Sequence, residues 1–102
     1  MALALNRFQK NGLYILDEPE AALSPSRQLT LLARFHQLVQ QNAQFIIATH
    51  SPLLMAYPDA EILWLDEPGI RPVPYTDTEH YLITRRFLEN PERMLNVLLQ
   101  SE

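Results

Sequence analysis

The chain contains no cysteine, which excludes disulfides, thiolate zinc sites and cysteine nucleophiles together. Glycine is almost as scarce, with Gly12 and Gly69 the only two in 102 residues. A phosphate-binding loop of the form G-x-x-x-x-G-K-[ST] needs closely spaced glycines, because backbone N–H groups must wrap the phosphates while a lysine reaches between them. No spacing between Gly12 and Gly69 can form one. Basic charge is short as well: eight Lys and Arg stand against twelve Asp and Glu, a net charge of −4, so the overall balance gives no electrostatic footprint for nucleic acid or an anionic membrane. No apolar run reaches the ~18 residues of a membrane span. The opening MALALNRF is too short, and too soon interrupted by Asn6 and Arg7, for a signal peptide. A cytoplasmic, soluble protein is expected, of one domain at most, with a modest core and little room for an α/β enzyme that must also enclose a substrate.

What is present reads as alternating strands and helices. After an apolar start that has the look of a helix tail, Asn11 and Gly12 punctuate, and LYIL is a continuous apolar run expected to be a strand buried on both faces. Ser24-Pro25 is an N-cap followed by a first-turn proline. Leu31, Leu32, Phe35, Leu38 and Val39 then recur at helical spacing, with Arg27, Gln28, Arg34, Gln37, Gln40 and Gln41 at the wetter positions. FIIAT is a second interior strand. Strand, helix and strand make a βαβ unit with parallel strands. Ser51-Pro52 repeats the cap device before a short LLMA helix, EILWL is a third strand, and Pro68-Gly69 turns the chain into a weak edge strand, IRPVPY. Thr76 with Glu79 reads as a capping box for a helix through about Leu88, and Asn90-Pro91 caps a last helix ending in LNVLL.

The tetrapeptide LDEP occurs twice, in GLYILDEPEAALSP and in AEILWLDEPGIRP. The second copy runs into Gly69 and a returning strand, so Asp66 and Glu67 belong to a solvated hairpin turn. The first copy is followed by a further acid, Glu20, and by the helix that leads to a parallel neighbour. Ligands of open parallel sheets bind outside the carboxyl ends of the strands. Asp17-Glu18 and Thr49-His50 therefore face one crevice, where adjacent strands ~4.8 Å apart bring carboxylates and imidazole near one small anion or its metal. Taken singly, each of these residues could equally be a loop cap or a packed strand end; as a set on one edge they point to chemistry.

GLYILDEPEAALSP followed by FIIATHSP resembles the Walker B strand, D-loop and switch-histidine strand of ABC-type ATPases, in particular the SMC-like predicted ATPases of bacteria. The likeness runs from about Gly12 to Pro52, and YLITRRFLENPERML is similar to the tail of the same proteins. The resemblance implies an α/β fold: a partial P-loop NTPase-like parallel sheet, the βαβ unit of the Walker B and switch-histidine strands, with a small hairpin and C-terminal helices. Residues 1–102 would form a single incomplete domain, the C-terminal part of an ABC-type ATPase domain. Asp17 corresponds to the acid that holds Mg²⁺, Glu18 to the carboxylate that orients and deprotonates the attacking water, and His50 to the switch residue on the γ-phosphate. Ser24 stands near the D-loop aspartate, which this sequence replaces, and falls with Asp17 on the nucleotide side.

The P-loop, the Q-loop glutamine and the Ser-Gly signature of such ATPases have no counterpart in the sequence. The expected function is therefore ATP binding and Mg²⁺-dependent hydrolysis as part of a larger ATPase, with the isolated chain inactive and the missing N-terminal segment a required partner. The intact protein is expected to dimerise around ATP. ATPases of this kind often meet DNA or partner proteins, although Arg85-Arg86 reads as a solvated helix face. Two alternatives stay open: a non-catalytic interaction fragment using a sheet edge and the LNVLL helix, and a small phosphohydrolase or nuclease holding Mg²⁺ or Mn²⁺ with Asp17, Glu18, Glu20 and His50. His36, His80, Tyr57 and Trp64 carry ordinary packing or surface expectations.

Overall fold

Serine, threonine and proline punctuation marks out the elements of the computed structural model, which describes residues 12–100. The chain divides into two units, Met1–Ala60 and Glu61–Glu102. The expected N-terminal helix tail lies outside the described residues.

In the first unit, strand β1 (Leu13–Asp17) leads through a loop to helix α1 (Pro25–Val39) and on to strand β2 (Gln44–Ala48). The α1 start follows from local chemistry. Ser24 is extended, its hydroxyl accepts from the Arg27 amide at 3.3 Å, and Pro25 occupies the first turn, where a missing N–H costs nothing. The helix stops where Asn42 takes φ 70°, a left-handed conformation that asparagine tolerates better than most residues. The amides of Gln41 and Ala43 both bond back to the Leu38 carbonyl.

Helix α1 buries Leu31, Phe35 and Leu38, three residues on one stripe. Leu31 and Phe35 form the core with Leu54, and Leu16, Leu23, Leu32, Phe45 and Ile47 pack around it. The Phe35 and Phe45 rings lie 4.6 Å apart, which joins helix to sheet. Full burial of each such side chain stabilises by roughly 1.5–3 kcal/mol.

Strands β1 and β2 pair in parallel, with Leu13 opposite Gln44, Ile15 opposite Ile46 and Asp17 opposite Ala48. The expectation that both strands are buried on both faces is corrected. Leu16, Phe45 and Ile47 face α1, whereas Leu13, Ile15 and Ile46 remain exposed, Ile15 by 74%. A strand's side chains alternate, so one helix covers only one face. After β2, Ser51 accepts from the Leu53 and Leu54 amides and starts a single 3-10 turn, Leu54–Ala56, where the sequence anticipated a short helix.

In the second unit, β3 (Leu63–Asp66) and β4 (Gly69–Pro72) form an antiparallel hairpin, and neither belongs to the parallel sheet. The turn residues are Glu67 and Pro68, one position earlier than expected; Gly69 pairs with Asp66 and holds φ 140°, which only glycine adopts without strain. Asp66 and Arg71 make an exposed ion pair at 3.9 Å, worth about 0–1 kcal/mol. The second LDEP is thus the solvated turn that its sequence context indicated.

Two helices follow, α2 (Glu79–Glu89) and α3 (Pro91–Leu98). The cap of α2 is Thr78, a correction of the Thr76 capping box: Thr78 is 1% exposed, accepts from the Tyr81 amide and donates to the Tyr75 carbonyl, while Thr76 lies in a 3-10 turn spanning Tyr75–Asp77. Thr76 has the right residue type three before Glu79, but Tyr75–Asp77 already spends that backbone on its own turn. Asn90 caps α3 as anticipated, accepting from the Arg93 amide. Arg85 is exposed, bonded to Tyr81 and Glu89. Trp64 lies against His80, with ring centres 5.8 Å apart.

Candidate functional site

Parallel pairing of β1 with β2 sends both strands out at the same edge of the sheet. Asp17 is the last residue of β1 and lies opposite Ala48, the last of β2. One residue further the strands are still tied, because the Glu18 amide donates to the Ala48 carbonyl at 2.7 Å. Asp17-Glu18 and Thr49-His50 consequently leave the sheet side by side, on the rim that the sequence anticipated.

The backbone then turns sharply. Glu18 holds φ 47°, a left-handed conformation that costs a non-glycine residue roughly 1–2 kcal/mol. Its neighbours enforce it. Pro19 is fully buried, the Ala21 amide returns to the Glu18 carbonyl, and the Leu23 amide returns to the Glu20 carbonyl. Asp17 and Glu18 are exposed as a result, with their carboxylates at the surface of the rim.

Glu20 has a different place. One carboxylate oxygen accepts from the Thr49 hydroxyl at 2.7 Å and the other from the His50 amide at 3.0 Å. Thr49 also accepts from the Ser51 amide at 3.0 Å. Below this tie lies a second one. Gln28 on α1 donates to the Leu23 carbonyl at 3.2 Å and accepts from the Ser51 hydroxyl. The acidic loop and the histidine loop are therefore joined on both sides of His50.

Sequence reasoning missed this function of Glu20, which entered only as a candidate metal ligand, and counted Gln28 as a wet helix position. Composition carries no signal for either, since the partners lie 29, 30 and 23 residues away. Ser24, placed on the nucleotide side by resemblance, sits at the exposed cap of α1 and shares a hydrogen bond with Ser26. His50 is exposed at the rim beside Thr49.

Among the described residues no group of three or more His, Asp or Glu could hold a metal ion by itself. Both Glu20 oxygens accept from protein donors, the Thr49 hydroxyl and the His50 amide. Asp17 and Glu18 leave two exposed carboxylates at the rim. Mg²⁺ keeps several waters and is commonly held by one or two carboxylates together with substrate phosphates.

A family model described as "AAA domain, putative AbiEii toxin, Type IV TA system" matches residues 1–56, more than half of the 102 residues. The chain belongs to that family. The chain is also similar to an "Uncharacterized ABC transporter ATP-binding protein" of Haemophilus influenzae, 37% identical over 59 residues that cover 58% of this chain and 22% of that protein. It is also similar to the "Retron Ec83 probable ATPase" of Escherichia coli, 32% identical over 66 residues that cover 65% of this chain and 12% of that protein. The chain thus spans less than a quarter of the length of either relative. No solved structure matches it significantly. Membership of an AAA-domain family agrees with the α/β architecture of the first unit, a two-stranded parallel sheet packed against α1. No helix among the described residues is long and apolar enough to cross a membrane.

Proposed function

We propose that this chain supplies the Walker B and switch-histidine part of a larger ABC-type ATPase that binds ATP and hydrolyses it with Mg²⁺, and that the phosphate loop comes from polypeptide outside the 102 residues. On this reading residues 1–102 are the C-terminal part of one ATPase domain, and the intact protein works as a dimer around nucleotide. The supporting observation is the common rim: parallel β1 and β2 end together, and the Glu18 amide is bonded to the Ala48 carbonyl two residues before His50.

Phosphoryl transfer needs charge neutralisation and in-line placement far more than covalent help. Asp17, exposed at the strand end, would hold Mg²⁺ through its hydration water, and the ion would neutralise charge on the phosphate oxygens. Glu18, held outward by its left-handed backbone, orients the attacking water and takes its proton. His50 meets the γ-phosphate from the neighbouring strand end and senses its presence. Ser24 lies further along the same loop, on the side that would face nucleotide across the dimer. Two glycines in the whole chain leave no cradle for the phosphates, so the isolated chain is inactive.

The test is turnover of the ATPase domain assembled with its P-loop segment. Glu18→Gln keeps the shape and removes the base, and a positioned base is typically worth ~10²–10⁴-fold. We expect a loss of that size, with Glu67→Gln unaffected. Undiminished hydrolysis by Glu18→Gln would refute the assignment, as would abolition by Glu67→Gln.

A second reading, a non-catalytic interaction fragment, draws support from exposed apolar groups: Leu13, Ile15 and Ile46 in the first unit and Val97, Leu98 and Leu99 in the second. A P-loop encoded beside this segment favours the ATPase, and its lack favours the fragment.

A further inference from the structure

The carboxylate most heavily engaged at the rim is not one of those given a chemical role above. Glu20 uses both oxygens, one on the Thr49 hydroxyl at 2.7 Å and one on the His50 amide at 3.0 Å. Its side chain is half-buried, between an exposed Glu18 and an exposed His50. Hydrogen bonds to an ionised acceptor are shorter and roughly twice as strong as neutral ones. The Thr49 oxygen is itself fixed by the Ser51 amide at 3.0 Å, and Ser51 is tied to α1 through Gln28. Three of these bonds run from residues 49–51, which carry the histidine, to the acidic loop or the first turns of α1, and the Ser51–Thr49 bond braces the histidine segment itself.

We propose that Glu20 is a positioning residue for the hydrolysis reaction, pinning the His50 backbone to the loop that bears Asp17 and Glu18, so that imidazole and base keep one mutual placement. The inference rests on the proposed function of that rim. Without Glu20 the His50 amide and the Thr49 hydroxyl lose this acceptor, and of the ties described above the Ser51–Gln28 bond remains. A displacement of about 1 Å between reacting groups can cost ~10²-fold in rate. Nucleotide affinity, supplied by the P-loop, is left in place.

The experiment is ATP turnover of the domain assembled with its P-loop segment, comparing Glu20→Ala, Glu20→Gln, Thr49→Val and Glu18→Gln, with Glu20→Ala and Thr49→Val repeated in a His50→Ala background. Glu20→Ala should lower kcat ~10–100-fold with KM for ATP changed by less than about twofold. Glu20→Gln should recover part of the loss, since its amide oxygen still accepts from the His50 N–H and the Thr49 hydroxyl can accept from its NH₂ group. In the His50→Ala background Glu20→Ala should cost nothing further, because a residue that acts through another is not additive with it. Equal cost in both backgrounds identifies a mere structural brace and overturns the proposal. So does a wild-type kcat for Glu20→Ala beside an inactive Glu18→Gln.

Full turnover by Glu18→Gln instead refutes the proposed function, and this inference falls with it. If Glu20→Ala does not fold, Thr49→Val, which removes one of the two donors, decides the same comparison. Amide exchange of the chain alone gives a readout independent of turnover. His50 protection should vanish in Glu20→Ala while the Gln44 amide, bonded to the Gly12 carbonyl at 2.8 Å, stays protected; unchanged His50 protection overturns the proposal.

Discussion

Replacing Phe35 by alanine should remove a large share of the first unit's stability, while the same truncation at Ile15 should remove little. Phe35 is 4% exposed, lies in the Leu31–Leu54 cluster and meets the Phe45 ring at 4.6 Å. Deleting a buried phenylalanine side chain leaves a cavity and costs about 3–5 kcal/mol. Against a total of about 5–15 kcal/mol for a chain of this size, that is about a fifth or more of the available stability. Ile15 belongs to the opposite face and is 74% exposed. Only about a quarter of its side chain is withdrawn from water, so a full-burial value of roughly 1.5–3 kcal/mol scales down to about 0.4–0.8 kcal/mol.

The assay is urea denaturation followed by far-UV circular dichroism, with amide exchange of the Gln44 and Glu18 N–H groups as reporters of the β1–β2 ladder. The single tryptophan, Trp64, lies in the second unit, which makes its fluorescence the wrong probe. A loss under about 1 kcal/mol for Phe35→Ala would refute the packing of α1 on the sheet. A loss above about 2 kcal/mol for Ile15→Ala would mean that the outer face is covered in solution.

Thr78→Ala, which strips the buried cap of α2, should cost about 1–2 kcal/mol in chemical denaturation, and Thr76→Ala should stay within about 0.5 kcal/mol; the reverse order would restore the earlier capping box. Ser51→Ala deletes the acceptor for the Leu53 and Leu54 amides and the donor to Gln28, so thermal melting should register a loss of about 1–2 kcal/mol. No change there would show that the lower tie between the two loops does not form in solution.

The readable parts of this fold were those in which a local rule had no competitor. Ser24-Pro25 and Asn90-Pro91 each combine a side-chain acceptor with a proline that has no N–H to lose, and both open helices where expected. Thr76 failed because a second threonine stood two residues on, and only packing decided which hydroxyl was buried. Burial of the strands failed for a related reason. LYIL and FIIAT are apolar throughout, and apolar composition alone states what a strand can bury, not what is there to cover it. The third strand and its return were legible as a hairpin from the Pro-Gly turn signal between them, and only the register, with Gly69 paired to Asp66 and the turn one residue earlier, was not.

At the candidate site the division is similar. LDEPE and ATHSP announced the residue types, and the βαβ pattern indicated that both segments leave a parallel sheet at one edge, because a helix of this length carries the chain back to start the second strand beside the start of the first. Which of the three clustered acids is open to a ligand and which is bound into the protein was decided only in three dimensions. Glu18 is turned outward by a backbone that its own hydrogen bonds hold left-handed, and Glu20 is turned inward onto Thr49 and His50. A carboxylate's partners some thirty residues away come within 3 Å only once the strands have paired, so chemistry written in residue types became a placement through tertiary structure alone.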